Sequence, residues 1–337
     1  MMFTDACHGE VNVSSLWHPS DLVPHKPNTD VIVNAVAYAP GGEPTPSWAC
    51  GVRVTGNDGV RLQKSLRVTG PRAWVPEWTR EPTERERAKW SETGTWRRHR
   101  DRFAGWELGE PEPITSLPLR YEYAYGGEIE TGRDEGGEPI HETSHHNPIG
   151  RGLIDREATS PLAPVPAPQI EALNEPITDP FARPMPQSLG AIPPAWLPRR
   201  PLGGTYDQDW LDNRWPEWPE DYSFAYHQSA HPDMIVDGYL RGDETIEMRG
   251  LSRTGNVAFA LPGLTPEVLF TDGAGGTERT PLDLDTVLID ATEPDPADWR
   301  VFVSWRCRFE AGRWERAAIF VPTEGGNEAS NEAELAV

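Results

Sequence analysis

Apolar and polar positions alternate clearly in the first quarter of the chain, and this alternation predicts β-strands. The stretch "DVIVNAVAYAP", which begins at Asp30, is rich in β-branched residues and stops at Pro-Gly-Gly, so it predicts a strand followed by a turn. In "WACGVRVTGNDGVRLQKSLRVTG" two alternating arms flank the turn residues "GNDG". That arrangement indicates a β-hairpin.

Short apolar segments return in the last third of the chain, roughly every ten residues. They are "ETIEMRGL", "NVAFALPG", "PEVLFTDG", "DTVLIDA", "RVFVSWRCRF" and "RWERAAIFVP". Strands at this spacing are typical of an antiparallel sheet or sandwich. The sequence therefore predicts a mainly β fold of antiparallel sheets or a β-sandwich, with long Pro- and Gly-rich loops and a few short helices.

Residues 80–104 interrupt the β pattern. The stretch "PTERERAKWSETGTWRRHRDRFA" is highly charged, and Thr83 and Glu86 have the spacing of a capping box. We predict a helical insertion here. Because amphipathic helices usually bury their aromatic residues, Trp90 and Trp96 are expected to pack against their own domain rather than to form an exposed docking face.

Three further segments have local signals. "LPLRYEYAYGG" alternates and ends at paired glycines, which predicts a strand and a turn. "TYDQDWLDNRWP" and "PEDYSFAYHQSAHP" are short, aromatic and bounded by proline. They predict two short helical turns, with Asp207 and Asp221 as N-caps.

Twelve prolines lie between Ser160 and Pro201. Since proline blocks both helix and sheet ladder, residues 160–201 are predicted to form an extended strap on the surface. Embedded apolar residues favour a strap over a free linker; they are Ile170, Leu173, Phe181 and Trp196. The acidic tail, residues 323–337, is predicted to be disordered, which leaves one domain over residues 1–322.

Charge and cysteine content narrow the partners and the compartment. The formal net charge of −22 repels phosphate backbones and anionic lipid, so nucleic acid and membrane surfaces are not expected partners. Cys7, Cys50 and Cys307 are widely spaced, which indicates neither a disulfide framework nor a zinc finger. No signal-like start or apolar run of ~18 residues is present. We predict a cytoplasmic location.

Histidines supply the first candidate site. His141, His145 and His146 lie within six residues, and His227 and His231 have the i, i+4 spacing that could complete a metal site. However, no HExxH motif or nearby cysteine accompanies them, and a proline follows His231. Solvated loop histidines, with no bound metal, are the favoured interpretation.

Catalytic motifs are the next candidates. Glu217, Glu220 and Asp221 lie among aromatic residues, as the carboxylates of a glycosidase do. Ser188 lacks the first glycine of the nucleophile elbow, and "GAGG" at 273–276 has no following Lys-Ser or Lys-Thr, so it predicts a hairpin turn. No catalytic or cofactor motif stands out, and we predict a non-enzymatic protein without a cofactor.

Several blocks in order resemble a known family. They are "SSLWHPSDLVPHKPNTDVIVNAVAYAPGG", "PEPITSLPLRYEYAYGG", "NPIGRG", "WLPRRPLGGTYDQDWLDNRWPEWPEDYSFAYHQSAHPD", "GYLRGDETIEMRGL" and "ALPGL". Together they resemble the type VI secretion adaptor family catalogued as domain of unknown function 2169, over residues 10–305.

The resemblance implies an adaptor or chaperone. Such a protein binds a secreted effector, often one with a spike-tip domain of the proline-alanine-alanine-arginine type, and helps load it onto the VgrG spike. No catalysis or cofactor is implied. The alternatives are a carbohydrate-active enzyme or carbohydrate-binding module that uses the Trp-rich loops, and a passive structural subunit.

The resemblance also selects a set of residues. They are Tyr125, Gly126, Gly127, Asn147, Gly150, Arg151, Gly152, Trp196, Arg199, Gly204, Thr205, Tyr206, Asp207, Trp210 and Asp221. Glycines in turns and aspartates at caps usually fix a fold, so scaffolding is favoured. A shared surface for the spike is the other interpretation.

Two features depart from the family pattern. Relatives usually begin with additional opening strands, so the expectation is either a misassigned start or a truncated variant with an exposed sheet edge. The charged segment at 80–104 is the second departure. Because it differs from the surrounding β pattern, it is a candidate for cargo specificity.

Overall fold

The computed structural model describes residues 23–78, 83–93, 104–124, 129–133, 139–142, 164–182, 184–192, 197–310, 312–321 and 329–334. Strands are the main regular secondary structure of these residues, which confirms the predicted mainly β fold class. The strands are β1 (Asp30–Tyr38), β2 (Ser47–Gly56), β3 (Gly59–Thr69), β4 (Ala73–Trp78), β5 (Ala104–Leu108), β6 (Ser116–Pro118), β7 (Ile129–Arg133), β8 (Pro139–Glu142), β9 (Val165–Pro166), β10 (Ile170–Ala172), β11 (Thr245–Arg249), β12 (Val257–Ala260), β13 (Glu267–Thr271), β14 (Thr277–Pro281), β15 (Asp283–Ala291), β16 (Arg300–Arg306), β17 (Arg316–Val321) and β18 (Ala329–Glu334). The helices are α1 (Glu84–Glu92) and α2 (Gln208–Asn213).

The predicted hairpin is the centre of a five-stranded antiparallel sheet. Strands β2 and β3 pair along their length, with Asn57 and Asp58 in the turn. The strand order is β10-β3-β2-β11-β12. The hairpin prediction is therefore confirmed, and β11 and β12 match two of the predicted later strands.

A second sheet has four strands in the order β16-β15-β1-β6 and contains both parallel and antiparallel pairs. Strand β1 pairs with β15 in parallel, while β6 and β16 pair antiparallel to their neighbours. The predicted antiparallel pattern did not anticipate this parallel pair, although the other described strand pairs are antiparallel. The reason is visible in burial: β1 and β15 are buried along almost their whole length, as strands covered on both faces are.

One large apolar core joins these two sheets into a sandwich. It contains residues from both, including Val31 and Val33 of β1, Leu66 of β3, Ile246 of β11 and Leu288 of β15. All five side chains are nearly inaccessible to solvent. Burial of apolar area at this interface is the main term that stabilises the fold.

Three further sheets are present in the described part of the chain. Strands β5, β4 and β9 form a three-stranded sheet, and β7 pairs with β8. Strands β14, β13, β17 and β18 form another antiparallel sheet. The "GAGG" segment lies in the tight connection between β13 and β14, where Gly275 has φ +83°, so the predicted hairpin turn is confirmed.

The Pro-rich strap is more deeply integrated than predicted. Ile170, Leu189 and Ile192 are buried, and strands β9 and β10 join the edges of two sheets. Burial of Ile170 agrees with its predicted role as an apolar anchor of the strap, whereas the burial of Leu189 and Ile192 and the pairing of β9 and β10 go beyond a surface strap. Proline is tolerated in β9 because β9 is an edge strand.

The acidic tail also differs from its prediction. Residues 329–334 form β18, which pairs antiparallel with β17. The tail is therefore ordered over these six residues. Backbone hydrogen bonding at a free sheet edge does not require an apolar pattern, which is why composition alone did not predict this strand.

The charged segment contains the predicted helix. Thr83 caps α1, and its hydroxyl and backbone exchange hydrogen bonds with Glu86, so the capping box is confirmed. Trp90 is buried, as expected. Residues 80–82, residues 94–103 and thus Trp96 lie outside the described residues. Helix α1 interrupts the connection between the paired strands β4 and β5.

Short helical turns occupy the two predicted aromatic segments. Asp207 is the N-cap of α2, as predicted, and accepts a hydrogen bond from the backbone N–H of Trp210. Asp221 is not an N-cap; Ser223 caps the 3-10 turn at Phe224–His227 instead. The strand predicted in "LPLRYEYAYGG" covers only β6, because a 3-10 turn follows at Tyr121–Ala124.

None of the helices in the part of the chain that the structure describes is long and apolar enough to cross a bilayer.

Candidate functional site

The most distinctive surface feature is the segment 202–227, here called the aromatic loop. Gly204 has φ +79°, and a Cβ at this position would lie 3.0 Å from Pro219 Cβ. Only glycine fits both the conformation and the space. Next to it, the backbone N–H and hydroxyl of Thr205 donate to the two carboxylate oxygens of Asp221, at 2.9 and 2.7 Å. These bonds lower the pKa of Asp221 and close the base of the loop.

Helix α2 and the following turn form the body of the loop. The Trp210 indole N–H donates to the Glu217 carbonyl at 2.8 Å. Arg214 donates from Nε to the Trp218 carbonyl and from an Nη to the Glu220 carboxylate, both at 3.0 Å. The backbone conformation of the turn is therefore held by side-chain hydrogen bonds.

The outer end of the loop presents an aromatic triad, which consists of Tyr206, Trp210 and Trp215. The rings of Tyr206 and Trp210 meet edge to face at 4.7 Å between centroids, and those of Trp210 and Trp215 at 5.5 Å. Tyr206 is 58% exposed and Trp215 is 67% exposed. Leu211 beside them is also exposed. Large side chains of this kind usually become buried when they have a partner.

A second aromatic group anchors the loop. Trp218, Tyr222, Phe224 and His227 contact one another. The Tyr222 hydroxyl and His227 Nε2 form a short hydrogen bond. Partial burial, with the nearby Lys26 as a secondary cause, lowers the pKa of His227.

The end of the loop is tied to the core by polar contacts. Gln228 Nε2 and the Ser229 backbone N–H donate to the buried carboxylate of Asp30, at 2.6 and 2.8 Å. Arg199 is buried and donates to the Ile192 carbonyl at 2.7 Å and the Ala230 carbonyl at 3.4 Å. The C-terminal end of the loop is therefore attached to the first residue of strand β1.

Two ionic clusters are built on buried lysines, and the sequence did not indicate them. Lys26 pairs with Asp30 at 2.8 Å, and both side chains are buried. Lys64 donates to Gln187, His231 and Asp233 at 2.9, 3.2 and 2.9 Å.

The chain has only three lysines, Lys26, Lys64 and Lys89. The first two are buried and the third is exposed. Most basic residues of the chain are arginines, so the rarity of lysine was the signal in the sequence that could have pointed to Lys26 and Lys64.

The Lys64 cluster has the features of a structural site. Burial lowers the pKa of Lys64, while three acceptors use all three protons of its ammonium group. Burial, with the positive charge of Lys64 as the second cause, lowers the pKa of His231 to about 3. A cleft of about 650 Å³ is lined by Gln187 and Asp233 among others.

The candidate metal ligands do not converge. His227 contacts the aromatic rings of its own loop, whereas His231 contacts Lys64 and the backbone N–H of Asp233. Within the described residues, no group of three or more His, Cys, Asp or Glu side chains is arranged to hold a metal ion. His145 and His146 lie outside that part of the chain.

The candidate catalytic residues have other roles. Glu217 and Glu220 project into solvent and both pair with Arg214, whereas the acid of a glycosidase is kept protonated by an apolar surrounding. Ser188 is buried, and its hydroxyl accepts from the Gly190 N–H in a tight turn.

The residues selected by the family resemblance fall into two groups. Tyr125, Gly126, Gly127, Asn147, Gly150, Arg151, Gly152 and Trp196 lie outside the described residues. Arg199, Gly204, Thr205, Tyr206, Asp207, Trp210 and Asp221 form or support the aromatic loop. In this second group, Tyr206 stands out as a large aromatic side chain that is mainly exposed.

The fold and the site together define a mainly β protein, with a sandwich of two sheets at its core and a braced, exposed aromatic loop. The chain belongs to the bacterial family described as "Uncharacterized protein conserved in bacteria (DUF2169)", whose model matches residues 1–306. No curated protein and no solved structure gives a significant match. Membership in domain of unknown function 2169, which the sequence suggested, is confirmed. The family description carries no function, so the link to type VI secretion stays a prediction.

Proposed function

We propose that this protein is a non-enzymatic adaptor that binds another protein through the aromatic loop. The observation that carries the proposal is the exposure of Tyr206 and Trp215 on a loop fixed by hydrogen bonds. Tryptophan and tyrosine are enriched among the residues that dominate binding energy at protein interfaces. A braced loop loses little conformational entropy when it binds.

The sequence resemblance supports a more specific role. We propose that the partner is a type VI secretion effector, often one that carries a spike-tip domain, and that the adaptor holds it in the cytoplasm and helps load it onto the VgrG spike. Coverage of exposed apolar surface on the effector would keep it soluble until transfer.

Co-purification from the native bacterium tests this role. A tagged full-length protein, isolated while the secretion system is expressed, is expected to retain an effector, a spike-tip protein or VgrG, identified by mass spectrometry. Trp215→Ala with Tyr206→Ala is expected to remove most of that protein. Val60→Ala with Val301→Ala changes exposed apolar residues outside the loop and is the matched control. Recovery of none of these three partners by the wild-type protein would reject the role.

We further propose that the charged insertion, residues 80–104, selects the cargo. Its helix α1 stands between two paired strands, and Trp90 anchors it. Deletion of residues 82–104 is expected to weaken effector capture while the far-ultraviolet circular dichroism of the β fold persists. Undiminished capture by a folded deletion variant would contradict cargo selection by this segment.

A further inference from the structure

We propose that the aromatic triad binds an arginine or lysine side chain on a basic segment of the protein partner. The inference rests on the proposed function, because it assigns partner chemistry to the same surface. Two independent features carry it: accessible aromatic rings, and an excess of carboxylates around them.

The rings have the geometry to receive a cation. Tyr206 and Trp215 each contact Trp210 edge to face, with interplanar angles of 77° and 90°. Edge-to-face contact orients neighbouring rings in different directions, so the triad forms a corner rather than a flat platform. A guanidinium or ammonium within about 6 Å of an aromatic centroid is attracted by the ring quadrupole.

Charge around the triad strongly favours a cation. Residues 205–221 contain six carboxylates and one arginine. Arg214 is committed to the carboxylates of Glu217 and Glu220 and to a backbone carbonyl.

The other four carboxylates accept hydrogen bonds from neutral donors, and in the part of the chain that the structure describes none of them forms an ion pair. These carboxylates are Asp207, Asp209, Asp212 and Asp221.

The protein uses the same chemistry internally at other positions. Arginines lie over aromatic rings at Tyr38, Phe320 and Trp314, with distances of 5.3, 5.0 and 4.3 Å to the centroids. None of these three pairs covers the triad. Among the described residues no arginine lies over the rings of the triad, so these rings can accept a cation from a partner.

Other occupants fit less well. Two copies of this chain repel each other, because each has a formal charge of −22. The same negative charge repels nucleic acid and anionic lipid. A neutral polyproline segment would use the rings but would gain nothing from the carboxylates. A sugar prefers a flat aromatic face. The basic segment alone uses both features.

Peptide binding to the full-length protein tests the inference. The probe is a short fluorescent peptide of alternating arginine and alanine, and its control carries citrulline, a neutral isostere, in place of each arginine. By fluorescence anisotropy, the arginine peptide is expected to bind about tenfold more tightly, and its affinity is expected to fall as salt increases. Equal affinity for the two peptides, or tighter binding of an oligoproline peptide, would overturn the inference.

Variants separate ring contacts from general attraction. Trp215→Leu with Tyr206→Leu keeps apolar side chains and the net charge, and is expected to weaken arginine-peptide binding about tenfold. Asp209→Asn with Asp212→Asn is expected to weaken binding and to reduce its salt dependence. Asp179→Asn with Asp243→Asn removes the same charge from exposed positions outside the loop and should have little effect. Equal effects of the two aspartate pairs, with none from the ring substitutions, would show that the attraction is non-specific.

The outcomes also separate this inference from the proposed function. Capture of an effector that is lost on ring substitution, combined with no preference for the arginine peptide, would retain the adaptor and reject the cationic partner. Preference for the arginine peptide without any captured secretion protein would do the reverse. Circular dichroism and the thermal midpoint confirm that each variant is folded before binding is measured.

Discussion

At the scale of single residues, the buried ion pair of Lys26 and Asp30 links the start of the sandwich to the aromatic loop. Lys26 also donates to the Thr286 hydroxyl at 2.7 Å, and Asp30 also accepts from Gln228 and Ser229. Both charges are therefore hydrogen-bonded as well as paired, which is the condition for tolerating charge in a core.

Removal of one partner tests this arrangement. Lys26→Met leaves the Asp30 carboxylate buried without its cation, so the free energy of unfolding is expected to fall by about 3–5 kcal/mol. The double variant Lys26→Met with Asp30→Asn removes both charges and should lose less than the single variant. Denaturant titration measures each value.

Lys89→Met is the matched control for this series. Lys89 is exposed on α1, so its substitution should change stability by less than about 0.5 kcal/mol. If Lys26→Met has an equally small effect, the pair contributes no stability and the interpretation is wrong.

His231 gives the protein a defined sensitivity to acid. Its ordinary pKa is 6.5, whereas burial, with Lys64 and Arg199 adding repulsion against the opposing effect of Asp233, lowers the pKa to about 3 in the folded protein. Between these values the unfolded chain binds a proton that the folded chain does not. The stability that comes from keeping His231 neutral is therefore fully present above pH 6.5, and it is lost as the pH falls towards 3.

His231→Asn tests this linkage, because an asparagine oxygen can still accept from the Asp233 N–H. The wild-type free energy of unfolding is expected to fall between pH 6.5 and 4, with at most about 1.4 kcal/mol per pH unit from this one proton. The variant should show a shallower slope in the same denaturant titrations. Parallel slopes would mean that the buried imidazole does not stay neutral.

At the scale of elements, helix α1 depends on its N-cap. The helix has only nine residues, most of them exposed, and short helices are marginal without capping and tertiary contacts. Thr83→Ala removes the acceptor for the Glu86 N–H, and is expected to destabilise the helix by about 1 kcal/mol.

Native-state hydrogen exchange measures this effect locally. Amides of α1 should exchange faster in Thr83→Ala, while those of β1 and β15 remain unchanged. Thr83→Ser keeps the hydroxyl and should retain the wild-type protection. Unchanged protection in the alanine variant would show that Trp90 alone holds the helix.

Comparison of the elements shows which of them local sequence patterns predict. The hairpin β2–β3 and the capping box of α1 are encoded within a few neighbouring residues, so both were predictable. Strand β14 was missed because its five residues are mainly exposed and lack apolar alternation. Ser223, and not Asp221, is the N-cap of the 3-10 turn at Phe224–His227. The Asp221 carboxylate instead accepts hydrogen bonds from Thr205, which is distant in sequence.

At the scale of the whole molecule, the parallel pairing of β1 with β15 joins segments that are far apart along the chain. Strand β15 contributes Leu284, Val287, Leu288 and Ile289 to the central core. Folding of the sandwich therefore requires most of the chain, and long-range pairing of this kind forms slowly.

Truncation tests this dependence. A chain that ends at residue 282 lacks β15 and the strands that follow it. It is expected not to fold, because β1 loses its parallel neighbour and the central core loses the five apolar side chains of β15. A chain that ends at residue 321 lacks only the edge strand β18 and the residues around it, and should keep the sandwich. Circular dichroism and thermal unfolding distinguish the two. A cooperative transition in the shorter chain would contradict the assignment.

Local patterns in the sequence determined the mainly β class, the hairpins, the helix at the charged insertion and the family to which the chain belongs. The first three features depend on alternation, turn residues and caps, which act over a few neighbouring residues. Family membership rests instead on the ordered blocks that resemble the family. Only the tertiary structure decided the parallel pairing of β1, the burial of Lys26 and Lys64, and the exposure of Tyr206 and Trp215. Burial and charge pairing join residues that are distant along the chain, so a one-dimensional pattern does not specify them.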